Sequence, residues 1–307
     1  MVYWDYYHME DRWYEHMLSE HERMSENTVF AGGVWTWSGF MPQVKRTDAT
    51  MVPALKACAR HGVRTAIATM WGDDGTETDY FLAMSQMTLF SEACWRGEDV
   101  DMDEARHMAE TLTGLPWEVY EGFGCFYKDE TDDRTGKGLI YCDLLYPLLP
   151  HQPDLTAAAE QYAEGLRRMA LCENDPRCRY GAALFRVARE KAQLILQLRA
   201  AYKNKDASAL RRIAEEKIPA LVKLYDALEE AHRTLWWASY KRLGWENITL
   251  RYGAVKGRLK DVSYTLNCYC DGRLPVIEEL EYPELEASRK DGIQFFQVYV
   301  SPQFDGI

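Results

Sequence analysis

The chain has 307 residues, 47% of them hydrophobic, which is enough for one large or two medium-sized domains with an apolar core. Its 36 basic and 48 acidic residues give a net charge of −12 without any basic run, which argues against nucleic acid and anionic membranes as partners. No apolar segment approaches the roughly 18 uninterrupted residues that a membrane span needs.

The N-terminal residues and the cysteines show no targeting signal and no metal-site pattern. The first residues lack the basic, apolar and small-residue succession of a signal peptide, so we expect a cytoplasmic location. The eight cysteines are scattered and have neither zinc-site spacing nor a neighbouring histidine pair. We therefore expect reduced thiols, no metal and no other cofactor.

Strand and helix patterns alternate over residues 1–97. Strands are predicted at 1–4, 27–35 and 63–71, and each is followed by a helix, at 10–24, 48–62 and 79–96. A strand-plus-helix repeat of about 30 to 36 residues is typical of parallel βα units. Glycines 62 and 97 are predicted to end the second and third helices. In the first helix, the predicted buried face consists of Trp13, Met17, His21 and Met24.

The alternation stops after Gly97. Asp101 and Glu104 have the spacing of a capping box and predict a helix start. A loop-rich stretch at 124–154 precedes three long amphipathic helices, at 155–173, 179–203 and 207–243, the last bent at Pro219. A further helix is predicted at 255–271 and a strand at 293–302. The change predicts two domains, an α/β domain at 1–97 and an all-α domain at 98–307.

Aromatic and acidic residues follow all three predicted strands, in "WDYYH" at 4–8, "FAGGVWTWSGF" at 30–40 and "MWGDDGTE" at 70–77. Strand ends of this kind carry the active sites of βα barrels. The residues alone allow two interpretations: core packing with acids at helix starts, or a pocket that stacks a ring and binds its hydroxyls. If the segments are extended, Trp35 and Trp37 point to opposite sides, as do Tyr6 and Tyr7.

The order and spacing of these motifs resemble the last three βα units of glycoside hydrolase family 20. The resemblance is strongest to the bacterial β-N-acetylhexosaminidase branch with an all-helical C-terminal domain. The segments "WWASYKRLGWENITLRYGAVKGRLKD" and "LPVIEELE" look like that helical domain. The resemblance implies that residues 1–97 are the C-terminal three βα units of a (β/α)8 barrel and that residues 98–307 are the α-helical domain.

The resemblance also implies an activity, the hydrolysis of terminal β-linked N-acetylglucosamine or N-acetylgalactosamine. In this family the 2-acetamido oxygen of the substrate is the nucleophile, so that catalysis is retaining and substrate-assisted. Asp5 together with Tyr6 or Tyr7 matches the position that holds the acetamido group, and the choice between the tyrosines stays open. The expected substrate-binding residues are Trp4, Asp5, Tyr6, Tyr7, Trp35, Trp37, Trp71 (ring stacking), Asp73 (sugar hydroxyls) and Glu77.

The chain departs from the family pattern in one respect. The catalytic Asp-Glu pair of the family lies on the fourth barrel strand, upstream of the strands matched here. We therefore expect no catalytic carboxylate pair in this chain and no activity of the chain alone. The expected partners are glycans that contain N-acetylhexosamine, an N-terminal half of the same enzyme, or a second copy. The alternatives are a non-catalytic carbohydrate-binding or assembly module, and a fragment from a truncated reading frame.

Overall fold

The computed structural model describes residues 1–131, 135–149 and 153–282. These residues fall into two compact units, within Met1–Asp133 and within Arg134–Ile307. The strand predicted at 293–302 lies outside the described residues. None of the described helices is both long enough and apolar enough to cross a membrane.

The first unit contains a small sheet of three parallel strands, β1 (Val2–Trp4), β2 (Val29–Gly33) and β3 (Thr65–Thr69). The strand order is β1-β2-β3, and in the register of the sheet Trp4 lies beside Ala31, which lies beside Ile67. The parallel strands predicted from the alternating pattern are therefore confirmed, although each is shorter than its apolar run. Their carboxyl ends meet at one edge of the sheet.

Among the described residues of the first unit, five α-helices accompany this sheet. Helices α1, α2 and α3 follow the three strands in turn, and Gly62 and Gly97 end α2 and α3 with φ angles of 63° and 61°. The Asp101 side chain caps α4, accepting from the backbone N–H groups of Asp103 and Glu104. Because α4 and α5 belong to the first unit, its end lies beyond the change of pattern at Gly97. The bounds are α1 Asp11–Met24, α2 Val44–Arg60, α3 Met84–Arg96, α4 Met102–Thr113 and α5 Trp117–Gly124.

The buried face of α1 differs from the prediction. Tyr14 and Leu18 are fully buried and pack in the core with Phe30, whereas Trp13 and Met24 are exposed. The indole N–H of Trp13 donates to a carboxylate that follows β1 rather than entering the core. The other two predicted positions do face the core: Met17 packs against it, and the His21 ring lies 4.8 Å from that of Tyr3. An apolar count alone cannot reveal the polar contact of Trp13.

The two faces of the sheet have different surroundings. The face that carries Tyr3 and Phe30 packs against apolar residues of α1, α2 and α3. On the opposite face Val2, Trp4 and Ile67 are between 44% and 50% exposed. Three strands cannot close a barrel. The structure therefore establishes a small parallel sheet within a mainly helical chain, and the predicted barrel units are not established.

The second unit is helical. The three long predicted helices are present, while α6 lies inside the stretch predicted as loop and α11 begins ahead of its predicted start. A π-helical segment, Ile213–Lys217, separates α9 from α10, and Pro219, which has no N–H to donate, stands in the first turn of α10. The bounds are α6 Thr135–Tyr141, α7 Leu155–Met169, α8 Pro176–Lys203, α9 Ala207–Arg212, α10 Ile218–Ser239, α11 Trp245–Cys270 and α12 Glu278–Glu281.

A buried lysine joins three of these helices. Lys191 of α8 is fully buried, and its Nζ donates to the carbonyls of Ile140 (3.0 Å) and Cys142 (2.6 Å) at the end of α6. The same Nζ lies 3.2 Å from the hydroxyl of Tyr225 in α10, which donates to the Ile140 carbonyl. Burial lowers the pKa of Lys191. The ammonium group satisfies carbonyls that the end of a helix leaves without partners.

Candidate functional site

The candidate site lies at the carboxyl-end edge of the sheet, where the segments after the three strands converge. The ring centroids of Tyr6 and Trp37 are 5.1 Å apart, and those of Tyr7 and Trp35 are 5.4 Å apart. Trp35 and Trp37 stack at 4.3 Å with an interplanar angle of 27°. The segments that follow β1 and β2 thus form one aromatic cluster, which we call the aromatic wall: Tyr6, Tyr7, Trp35 and Trp37.

The alternation expected for neighbouring rings in extended segments does not apply to the wall. Strand β1 ends at Trp4 and β2 ends at Gly33, so the tyrosines and tryptophans lie beyond the extended backbone to which alternation applies. Gly33 permits this arrangement. A Cβ atom at Gly33 would lie 2.7 Å from Cη2 of Trp37 and 2.9 Å from Cβ of Tyr6.

Trp35 is the most enclosed ring of the wall and is only 2% exposed. Its indole N–H donates to the carbonyl of Tyr6 at 2.9 Å, and its backbone N–H donates to Oγ1 of Thr47 at 3.0 Å. The guanidinium carbon of Arg46 lies 3.8 Å from the ring centroid, and Trp37 stacks on the same ring. Trp35 therefore supports the other rings of the wall. Its ring is covered by Arg46 and Trp37 and is not open to solvent.

The carboxylate of Asp5 accepts several hydrogen bonds from residues around the aromatic wall. Its Oδ2 accepts from the Tyr3 hydroxyl and the Trp13 indole, both at 2.9 Å, and lies 2.7 Å from Nδ1 of His8. Its Oδ1 accepts from the backbone N–H of Tyr7 at 2.9 Å. Burial alone would raise the pKa of Asp5, but the hydrogen bonds from Tyr7, Tyr3 and His8 outweigh burial and hold that pKa below its usual range. The ionised carboxylate fixes the turn that carries the tyrosines.

The segment after β3 forms a second part of the site. The hydroxyl of Thr36 donates to the carbonyl of Trp71, and that of Thr76 donates to the carbonyl of Gly72, both at 2.9 Å. Gly72 is required at this turn, because a Cβ would collide with the Thr76 side chain and would lie 2.9 Å from the Tyr80 hydroxyl. These bonds hold Trp71 beside the segment after β2.

Two acids of the segment after β3 have different surroundings. Asp73 is exposed. Burial raises the pKa of the Tyr7 and Tyr80 hydroxyls, and the charge of Asp73 contributes to both increases, so its carboxylate lies within electrostatic reach of both phenols. Glu77 is 1% exposed and lies among the buried polar residues of the unit.

Exposure divides the nine predicted site residues into two groups. Trp4 and Trp71 stack on each other at 5.8 Å and present open ring surface, and Tyr7 is 55% exposed. Together with Asp73 they offer exposed aromatic faces, a hydroxyl and a carboxylate. The supporting group is buried or half-buried and consists of Asp5, Tyr6, Trp35, Trp37 and Glu77.

Sequence reasoning missed three residues that shape the site. Arg46 and Thr47 lie in the first turn of α2 and contact Trp35, and Tyr80 lies beside Gly72. Arg46 and Thr47 could have been predicted from their position, because the helix that follows a strand in a βα unit begins near the carboxyl end of that strand. The sequence carried no comparable signal for Tyr80.

Comparison with known families identifies the class of this chain. Residues 126–297 match the family model described as the Glycoside Hydrolase 20C C-terminal domain, and this match spans more than half of the 307 residues. No curated protein matches the chain. The chain therefore belongs to glycoside hydrolase family 20 and carries its C-terminal domain, as the resemblance of its motifs predicted.

Proposed function

We propose that the aromatic wall and the segment after β3 form the sugar-binding side of a β-N-acetylhexosaminidase site. The observation that carries this proposal is the convergence of two tyrosines, three tryptophans and an exposed carboxylate at one edge of a parallel sheet, in a chain of glycoside hydrolase family 20. Rings of this kind stack on the apolar face of a pyranose, and carboxylates bind its hydroxyls. The substrate class is terminal β-linked N-acetylglucosamine or N-acetylgalactosamine.

The exposed residues take the direct roles in this proposal. Trp71, with Trp4 stacked on it, provides the ring on which the sugar lies, and Asp73 accepts hydrogen bonds from the sugar hydroxyls. Tyr7 is the more exposed of the two tyrosines, so its hydroxyl holds the acetamido oxygen. Trp35 and the rest of the buried group maintain the shape of the site.

The proposed reaction is substrate-assisted. The acetamido oxygen attacks the anomeric carbon while the bond to the leaving oxygen breaks, and a carboxylic acid gives its proton to that oxygen. Such general acid catalysis contributes about 10² to 10⁴-fold. Asp73 stands on the side that binds hydroxyls, so the acid and the carboxylate that orients the acetamido group come from elsewhere. We therefore propose that this chain alone is inactive and works with a segment that supplies the pair.

A non-catalytic role in carbohydrate binding or assembly is the second candidate. The exposed apolar face formed by Val2, Trp4 and Ile67 favours it, as does the absence of further strands beside β1 and β3 among the described residues. Open edges of a sheet readily pair with other strands. In this non-catalytic candidate the occupant of the open edge is a second copy of this chain.

A fluorogenic aryl β-N-acetylglucosaminide distinguishes these functions. The 307-residue chain alone should give no turnover, and turnover should appear when a segment with the remaining strands and an Asp-Glu pair is added, either in the same chain or by co-expression. In the active form, Asp73→Asn should lower kcat/KM by on the order of tenfold or more, since it weakens the hydrogen bonds to buried sugar hydroxyls. Robust turnover by the chain alone that Asp73→Asn abolishes would make Asp73 a catalyst and overturn the proposal.

A further inference from the structure

Arg46 occupies an unusual place for a charged side chain. It lies in the first turn of α2 and is 7% exposed, with its guanidinium carbon 3.8 Å from the centroid of the Trp35 ring. At that distance the group lies over a face of the indole, because an approach in the plane of the ring would collide with the ring atoms. A guanidinium over tryptophan is a favourable cation–π geometry.

The position of Trp37 shows that Arg46 covers the opposite face of the Trp35 ring. Trp37 stacks on Trp35 at 4.3 Å and nearly parallel, so it also occupies a face of that ring. A guanidinium at 3.8 Å and an indole at 4.3 Å cannot share one face. Arg46 and Trp37 therefore enclose Trp35 from opposite sides.

Tyr7 contacts the same indole ring. The Tyr7 ring meets Trp35 edge-on, at 5.4 Å and an interplanar angle of 85°. Burial raises the pKa of Tyr7, and Tyr6 and Asp73 raise it further, whereas the Arg46 guanidinium lowers it. The charge of Arg46 therefore opposes the effects of burial, Tyr6 and Asp73 on the pKa of Tyr7.

We propose that Arg46 is a positioning residue of the site, which holds Trp35 against Tyr7 and polarises the Tyr7 hydroxyl as a donor to an amide oxygen of the ligand. A nearby cation stabilises negative charge on the phenol oxygen and so strengthens its O–H group as a hydrogen-bond donor. The ligand part of this inference rests on the proposed function, whereas the effect of Arg46 on Tyr7 does not.

Two substitutions separate the packing of Arg46 from its charge. Arg46→Met removes the charge and keeps a polarizable side chain that packs well on an aromatic ring. Arg46→Lys keeps the charge and loses the planar group that matches the indole face. Arg106 provides a matched control, because its guanidinium also lies over a tryptophan of the first unit, Trp117, at 5.0 Å.

The first measurement is the titration of Tyr7 by ¹⁹F NMR after incorporation of 3-fluorotyrosine, with the resonance assigned through Tyr7→Phe. The midpoint should move to higher pH in Arg46→Met and stay unchanged in Arg106→Met. An unchanged midpoint in folded Arg46→Met would overturn the proposal, and Arg46→Gln serves the same comparison if Arg46→Met does not fold. This result does not depend on sugar binding.

The second measurement is the affinity for N-acetylglucosamine. Arg46→Lys should bind the sugar more weakly by on the order of fivefold, because lysine weakens the contact with the indole face without removing the charge. Wild-type affinity in Arg46→Lys would contradict the positioning role. Failure of the wild-type chain to bind any N-acetylhexosamine would refute the proposed function instead, and the Tyr7 titration would still decide the role of Arg46.

Discussion

The indole rings of Trp4 and Trp71 stack with their centroids 5.8 Å apart, although Trp4 lies on β1, Trp71 follows β3, and β2 runs between these strands. Ala31 of β2 pairs with Trp4 in the register of the sheet and is fully buried, even though Trp4 and Ile67 beside it are exposed. The small Ala31 on the central strand thus leaves room for the large Trp4 side chain beside it. The stacked rings of Trp4 and Trp71 join the first and third strand ends into one surface.

Gly33→Ala should disrupt the aromatic wall. The added methyl group would lie 2.7 Å from the Trp37 ring and 2.9 Å from Tyr6, so these side chains must move. We expect a loss of about 1 to 3 kcal/mol in the free energy of unfolding, measured by urea denaturation. Gly257→Ala is the matched control, since nothing lies within 4 Å of its Cβ position in helix α11. It should stabilise the protein by up to about 1 kcal/mol. A loss at Gly257 as large as at Gly33 would contradict this account.

Asp48→Asn should change how stability depends on pH. Burial raises the pKa of Asp48 to about 7, against the opposing effects of Gln86 and Arg106. The folded state therefore binds a proton that the unfolded state has already lost, and the free energy of unfolding should fall as the pH rises from about 4 to about 7. At pH 8 the asparagine variant should be more stable than the wild type by on the order of 2 to 4 kcal/mol, with little gain at pH 4.

Thermal and urea denaturation at pH 4, 6 and 8 test this expectation for Asp48. The exposed Asp99, changed to asparagine, provides the control and should leave the pH dependence of the wild type unchanged. Equal stabilisation by Asp48→Asn at pH 4 and pH 8 would show that ionisation of Asp48 is not the cause.

Lys191→Met should destabilise the helical unit that carries the family match. The substitution removes the donor to the Cys142 carbonyl and one of the two donors to the Ile140 carbonyl, inside a buried environment. We expect a loss of about 1 to 3 kcal/mol in urea denaturation at pH 7, because leaving a buried carbonyl without a donor costs more than removing the lysine charge gains. Lys203→Met, at the exposed end of the same helix, should have little effect. Unchanged stability in Lys191→Met would contradict this expectation, because the cost of desolvating the lysine would then equal the free energy that its hydrogen bonds contribute.

The order of the strands and long helices could be predicted from the sequence, because apolar residues recur with a different spacing in a strand than in a helix. Glycines 62 and 97 ended the helices as expected, since their φ angles of 63° and 61° suit glycine. Helix α6 was missed because its seven residues include two glycines and lie within a stretch rich in turn residues. Trp13 of α1 was predicted to be buried, but its indole donates to Asp5, a contact that no periodicity reveals.

The candidate site was predictable as a set of segments but not as an arrangement of rings. Parallel strands bring their carboxyl ends together, so the motifs after β1, β2 and β3 had to meet. Alternation failed for Trp35 and Trp37 because β2 ends two residues before the first of them. The enclosure of Trp35 by Arg46 depends on where α2 begins, four residues ahead of its predicted start, and this boundary is weakly encoded in an amphipathic pattern.

Protein-observed NMR of the tryptophan indole N–H groups tests the central claim most directly, because it detects weak binding and reports on each ring separately. Upon addition of N-acetylglucosamine, the cross-peaks of Trp4, Trp37 and Trp71 should shift, whereas that of Trp95, which is 86% exposed on α3, should not. Trp71→Ala should weaken binding by on the order of tenfold, and Trp95→Ala should leave it unchanged. Equal shifts at Trp95 and Trp71, or wild-type affinity in Trp71→Ala, would contradict a sugar-binding site at this edge of the sheet.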